Sequence, residues 1–250
     1  MDRKRIFIST IAPDASDMAR KYGLGLEIAE YCTAWNMDEK FPATHAAVSE
    51  KISGISRLTL HAPFNELFPC AIDPLARKLA AQRYSQAVAL ARDYGADRVV
   101  IHGGYNPQMY YPVWYEEQSV IFWKEFMESA PSDITLCLEN VFEPEPEMLA
   151  GIIRGVNDKR LRMCLDMGHV NAYSKIPAAT WLSRCADIIA HYHIHNNAGD
   201  MDSHNALHEG SLPMKELLQA AEEMTAEATL CLEVLEAEPS MKWITENGLI

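Results

Sequence analysis

Short apolar runs alternate along the chain with longer stretches whose apolar residues recur at three- and four-residue steps. Arg5–Ser9, Leu24–Ala29, Arg57–His61, Arg98–His102, Thr135–Glu139, Leu161–Asp166, Ile188–His195 and Thr229–Val234 have the length and composition of strands. Between them the spacing predicts helices. The clearest covers 74–94, where Leu75, Leu79, Tyr84, Ala87, Val88, Ala91 and Tyr94 share one face. Asp73-Pro74 supplies an N-cap and a first-turn proline, and Gly95 ends the helix. Ser211-Leu-Pro213 opens a second helix carrying Leu217, Leu218 and Ala221. Eight strand–helix alternations without a linker predict a single (β/α)8 TIM barrel over residues 1–250, an α/β fold. No Gly-x-Gly-x-x-Gly or Walker loop supports a nucleotide-binding sheet instead.

Composition narrows the picture further. A chain of 250 residues suits one such barrel. With 48% hydrophobic and 23% charged residues, disorder and fibrous structure are excluded. No apolar run approaches the roughly 18 residues of a membrane helix. Met1-Asp-Arg-Lys-Arg5 resembles the start of an export signal, but only Ile6-Phe-Ile8 follows before Ser9, so a first strand is expected. The six cysteines form no Cys-x-x-Cys pair, which points to a reducing cytoplasm and away from a disulfide scaffold. The net charge of −13 disfavours nonspecific nucleic-acid binding. Nothing in the pattern excludes a homo-oligomer.

Chemistry-bearing residues fall at the strand ends. His61, His102, Glu139 and Asp166 close the third to sixth strands, and His169 follows three residues on. His193 lies late in the seventh, Asp202-Ser-His204 in the loop after it, and Glu233 near the end of the eighth. In a barrel these ends meet at one mouth, and imidazoles with carboxylates there are a divalent-metal donor set. A lone strand-end histidine is more often structural; seven such coincidences on one rim are not. His191, His193 and His195 share a strand parity and face inward together, His191 deepest and His195 nearest the rim, which leaves the ligand among them open. Cys137, Cys164, Cys231, Val100 and Thr59 precede rim residues by two positions and are expected to form a buried layer beneath the site.

Leu60-His-Ala-Pro63, Ile101-His-Gly-Gly104, Leu138-Glu-Asn140, Leu165-Asp-Met-Gly-His169, His193-Ile-His-Asn196, Asp202-Ser-His204 and Leu232-Glu233 together resemble the xylose isomerase-like TIM-barrel superfamily. That superfamily holds sugar and sugar-phosphate isomerases and epimerases, and endonuclease IV. The isomerase branch implies one divalent metal (Mn2+, Zn2+ or Co2+) on Glu139, Asp166, His193 and Glu233. The endonuclease IV branch implies a cluster of up to three zinc ions, adding His61, His102, His169, Asp202 and His204. Ser203 stands where that branch has Arg, His208-Glu-Gly210 where it has Gly-Glu-Gly, and Asn196 where an Asp is common. These departures favour the isomerase branch.

The resemblance implies a sugar or sugar-phosphate substrate, with Glu139 and Glu233 exchanging a proton through a metal-stabilised enediolate. His169 would orient a hydroxyl or bind a second metal. Tyr105, Tyr110, Tyr111, Trp114 and Tyr115 after the fourth strand offer aromatic faces to a sugar, although Trp114 and Tyr115 are equally suited to packing in the next helix. Asn140, His195, Asn196 and Asn197 are candidate hydroxyl binders, and Glu27 is expected at the same mouth, on substrate or on His61. The alternative is an endonuclease IV-like phosphodiesterase acting at abasic DNA sites.

Overall fold

The computed structural model describes residues 1–250. Eight parallel strands close into a barrel in chain order: β1 Ile6–Ser9, β2 Gly25–Ile28, β3 Leu58–His61, β4 Arg98–His102, β5 Thr135–Glu139, β6 Leu161–Asp166, β7 Ile189–Ile194 and β8 Thr229–Leu232. Around it lie α1 Ala15–Tyr22, α2 Ala34–Met37, α3 Phe41–Ile52, α4 Pro74–Tyr94, α5 Pro112–Ser129, α6 Pro146–Val156, α7 Met167–Tyr173, α8 Ala178–Cys185, α9 Met214–Met224 and α10 Ala237–Glu246. No helix is long and apolar enough to cross a membrane.

The local signals act as their chemistry dictates. The Asp73 carboxylate accepts from the Leu75 N–H at the start of α4, and Gly95 ends that helix at φ 74°. At the seventh strand the ladder is shorter than its apolar run. Asn196 exchanges both backbone hydrogen bonds with Asn205, which turns the chain away and leaves His195 just beyond β7. Glu233 likewise stands one residue past β8.

Strand parity separates two cores. Outward residues such as Leu136, Leu138, Val99 and Ile101 join the helices in one cluster of 66 buried residues. The inward face has a small apolar plug, Val100, Cys137 and Cys164. Thr59 and Cys231 share its depth and are also fully buried. All six cysteines are free thiols. Phe7 of β1 also points inward and meets the His191 ring with centroids 6.3 Å apart, and the remaining interior is mainly carboxylate, imidazole and hydroxyl. Register places these groups in tiers. Glu27 is level with Thr59, His61 with Val100, His102 with Glu139, and Asp166 with His193.

Candidate metal centre

Glu139 lies at the middle of the mouth, fully buried at the end of β5. Its Oε2 faces His61 Nε2 at 3.2 Å and His102 Nε2 at 3.5 Å. Its Oε1 faces His193 Nδ1 at 3.1 Å and His169 Nδ1 at 3.3 Å. His193 Nδ1 is also 3.0 Å from Glu233 Oε2 and 3.8 Å from Asp166 Oδ2. A second knot surrounds Asp202. Its Oδ2 lies 3.1 Å from His169 Nε2 and 3.0 Å from His204 Nε2, and its Oδ1 lies 3.4 Å from His195 Nε2. The rim residues expected from the strand ends therefore form one contiguous constellation.

Backbone carbonyls orient several of these rings. His61 Nδ1 pairs with the Ala62 carbonyl at 2.8 Å, and His204 Nδ1 with the Glu233 carbonyl at 2.7 Å. A neutral ring donating through Nδ1–H turns the lone pair of Nε2 toward a carboxylate oxygen, which is also an acceptor. Two acceptors about 3 Å apart need a cation between them, a proton or a metal. Ligand atoms around an ion at about 2.1 Å are separated by roughly 3.0–3.4 Å, the spacing found here. Asp166 Oδ2, both nitrogens of His195 and Asp202 Oδ1 are buried without a hydrogen-bond partner. The ion-pair partners of Glu139, Asp166, Asp202 and Glu233 are all histidines. The donor set thus fits a divalent ion, and Glu139, Asp166, His193 and Glu233 converge tightly enough to hold one.

The same crowding sets the protonation states. Burial pushes the Glu139 carboxyl up, but the charges of His193 and His102 and hydrogen bonds from His169 and His193 hold it well below the carboxylate range. Burial likewise opposes ionisation of Glu233, yet His193 brings it down to about 2. Burial alone dominates at His102, lowered to about 4. At His204 burial is outweighed by Asp202 and Glu233, which raise it to about 9. Without a metal, protons on imidazole balance the buried carboxylates.

Several expected substrate contacts lie elsewhere. Glu27 is one tier below the mouth and meets His191, His193 and Thr59, not His61. Asn140 clips β5 to β6, its amide bonding both the N–H and the carbonyl of Asp166. Asn196 is committed to the backbone of Leu207 and Leu212, and Asn197 to the Gly168 carbonyl. Their polar side chains hold the loops because buried backbone groups need partners. His195 sits fully buried between Asp166 and Asp202 and stacks on His204 with centroids 4.2 Å apart. Gly168 makes this possible, since a Cβ there would collide with the His195 ring.

The aromatic loop divides. Tyr115 is buried in α5 and donates to Glu143, Tyr105 packs on Tyr115 with centroids 5.0 Å apart, and Tyr110 is buried as well. Trp114 is half-buried, its indole N–H on the Cys70 carbonyl, while Tyr111 is 84% exposed. Two residues were missed from sequence. Phe64 stacks on His102 with centroids 4.3 Å apart and an interplanar angle of 12°. Glu143 is buried against Tyr115 and the Val141 N–H, and burial raises its pKa. Phe64, three residues after His61, carried a weak signal; Glu143 carried none. A groove of about 470 Å3 between α4 and α5 lies on the outer layer, and no histidine lines it.

The family model described as xylose isomerase-like TIM barrel matches residues 23–247. An uncharacterized protein of Methanocaldococcus jannaschii, MJ1311, is 28% identical over 188 residues, 70% of this chain and 64% of that protein. The chain therefore spans less than two thirds of that relative's length. A D-tagatose 3-epimerase-like protein superposes with a TM-score of 0.79 at 22% identity, over 98% of this chain and 97% of the other. A Thermus thermophilus protein, TTHB071, solved after soaking with ZnCl2, gives 0.74 at 25% identity, over 97% of each chain.

Proposed function

The chain belongs to the xylose isomerase-like TIM-barrel family, and we propose that it is a divalent-metal-dependent sugar isomerase or epimerase working through the Glu139–Glu233 pair. One observation carries this reading. Oxygens of two buried, anionic carboxylates three strands apart around the barrel, at the ends of β5 and β8, approach the same atom, His193 Nδ1, at 3.1 and 3.0 Å. With Asp166 they offer three carboxylates and one imidazole to an ion. The epimerase-like neighbour and the zinc-soaked neighbour support the same direction.

A bound divalent ion supplies Lewis-acid stabilisation of negative charge developing on substrate oxygens. The remaining work falls to the chain. Glu139 and Glu233 are both held ionised by the neighbouring imidazoles, Glu233 at about 2, so each becomes an effective base only as those imidazoles are neutralised or ligated. One carboxylate takes the proton from the carbon beside the carbonyl, and the C–H electron pair moves into the carbonyl. The other, once it has taken a proton from solvent, delivers it to the opposite face for epimerisation; for isomerisation the first carboxylate returns its own proton to the neighbouring carbon. His169 has Nδ1 on the Asn140 carbonyl and Nε2 on Asp202, so it orients a hydroxyl at the rim only by exchanging the Asp202 contact. The test is deuterium incorporation beside the carbonyl of a ketose in D2O. It is expected with wild-type protein and lost in Glu139→Gln and Glu233→Gln.

A specific feature keeps a second reading in play. The two oxygens of Glu139 face separate imidazole pairs, and Asp202 Oδ2 joins His169 to His204, the layout of a multinuclear site. An endonuclease IV-like phosphodiesterase would use it. Metal analysis of a His61→Ala, His102→Ala double variant separates the readings. Retention of one ion with isotope exchange upholds the isomerase. Stoichiometric loss of an ion, with abasic-site cleavage by the wild type, upholds the phosphodiesterase.

A further inference from the structure

The loops that frame the mouth carry no Lys or Arg. Segments 10–14, 29–33, 62–73, 103–111, 140–145, 195–213 and 233–236 contain no Lys or Arg, and β6 passes directly into α7. So no strand end is followed by Lys or Arg before the next helix begins. Lys175, beyond α7, is exposed and lines a side pocket with Asn171 and Ser211, and the cations beside the first two loops are otherwise engaged. Lys51 reaches the first loop but is held by Glu30 Oε1 at 2.6 Å and the Thr10 carbonyl at 3.1 Å. Lys40 lies over the Trp35 ring.

Helix N-termini are the other means of holding an anion, and barrels often bind phosphate on N–H groups beyond the seventh and eighth strands. Here the turn after the eighth strand is filled from within, while α9, after the seventh, begins with Met214-Lys-Glu216 and no side-chain cap. The Asp14 carboxylate accepts from the N–H groups of both Ala237 and Glu238, at 2.9 and 2.8 Å, and so occupies the first turn of α10. Asp166 caps α7 in the same manner through the His169 N–H. Helices α4, α5 and α6 each begin with proline, which removes a donor.

Aromatic surface takes the place of charge. A pocket of about 210 Å3 opens beside His102, lined by Phe64, Phe68, Tyr105, Val141 and Phe142. Phe64 continues it onto the His102 ring. Ring faces of this kind pack against the C–H side of a sugar, whereas a phosphate placed there would lose water with no compensating charge.

We propose that the substrate is an unphosphorylated sugar, whose end remote from the reacting carbons packs into the aromatic pocket beside His102. This rests on the isomerase or epimerase reading above and adds the substrate class. The test uses matched pairs: D-fructose, D-tagatose and L-ribulose against D-fructose 6-phosphate, D-tagatose 6-phosphate and L-ribulose 5-phosphate. Deuterium exchange in D2O and calorimetric binding are measured with the metal-loaded protein. In each pair that reacts, the free sugar is expected to have a kcat/KM at least about tenfold higher. Phe142→Ala, at an exposed position, is expected to raise KM for the free sugar about tenfold with a smaller change in kcat. Equal or better use of the phosphate esters overturns the inference and leaves the isomerase reading intact. Absence of exchange in every pair counts against the isomerase reading. Binding then decides the substrate class: tighter binding of the free sugars upholds it, while tighter binding of the esters, or binding of neither, overturns it.

Discussion

Glu27 Oε1 lies 2.8 Å from His193 Nε2, behind an imidazole whose Nδ1 faces Glu139 and Glu233. Both atoms are fully buried, and neither makes an aligned hydrogen bond, to the other or to any third group. The remaining Glu27 oxygen is anchored by Thr59 at 2.9 Å and His191 at 3.2 Å. A carboxylate behind a ligating imidazole fixes its tautomer and raises its basicity. Glu27→Gln is therefore expected to weaken zinc or manganese affinity by roughly 10–100-fold while the barrel stays folded. A chelator-competition titration measures this, with circular dichroism as the fold control. Unchanged affinity would show that Glu27 only fills space.

The place of Glu27 also shows what could be read from sequence. Parity along β2 marks Glu27 as inward-facing, and that is correct. Height in the barrel depends on stagger between strands, which a single sequence does not carry. Pairing of Glu27 with Thr59, two residues before His61, sets it one tier too low for the mouth. The rim carboxylates and histidines were legible because each ends an apolar run, where the barrel geometry brings them together. Asn140 and Asn196 were not, since an amide in a loop serves a ligand or a backbone equally well. Only the positions of the Asp166 and Leu212 backbones decide the matter.

Proton balance at the mouth makes stability and metal affinity run in opposite directions with pH. In the metal-free protein His204 is raised from 6.5 to about 9, against burial, by Asp202 and Glu233. A raised folded-state value means the stabilisation is complete below pH 6.5 and is lost as pH rises through about 9. Thermal unfolding of metal-free protein is expected to show a falling Tm across that window. Zinc affinity should rise over the same range, because ligation displaces the proton. Calorimetry in buffers of different ionisation enthalpy would report the released protons. A Tm independent of pH between 6.5 and 9 would contradict the assigned charge balance.

At Gly168 the requirement is steric. Its backbone passes so close to His195 that any side chain would overlap all three nearest ring atoms. The ring cannot retreat, because it stacks on His204 and lies between Asp166 and Asp202. Gly168→Ala is expected to cost about 1–3 kcal/mol by overpacking and to displace His195. Denaturant titration gives the first quantity. Imidazole 15N shifts give the second, and a variant with wild-type stability and shifts would contradict the close approach.

Charge neutralisation at the mouth predicts how the protein responds to metal. Glu139, Asp166 and Glu233 are buried within reach of one imidazole nitrogen, and buried like charges are tolerated only with compensating cations. An ion at a hundred times its Kd adds about 2.7 kcal/mol to the folded state. For a domain of this size that raises Tm by roughly 5–11 °C. Glu139→Gln removes a ligand and also a carboxylate that the surrounding imidazoles stabilise. The variant should gain less than about 2 °C from zinc. Without metal it should melt below wild type at neutral pH, because His169 and His193 lose the carboxylate that balances their protons. Scanning calorimetry of both proteins, with zinc and after chelation, provides the four melting temperatures needed. An equal zinc-induced rise in wild type and Glu139→Gln would place the ion elsewhere and remove Glu139 from the centre.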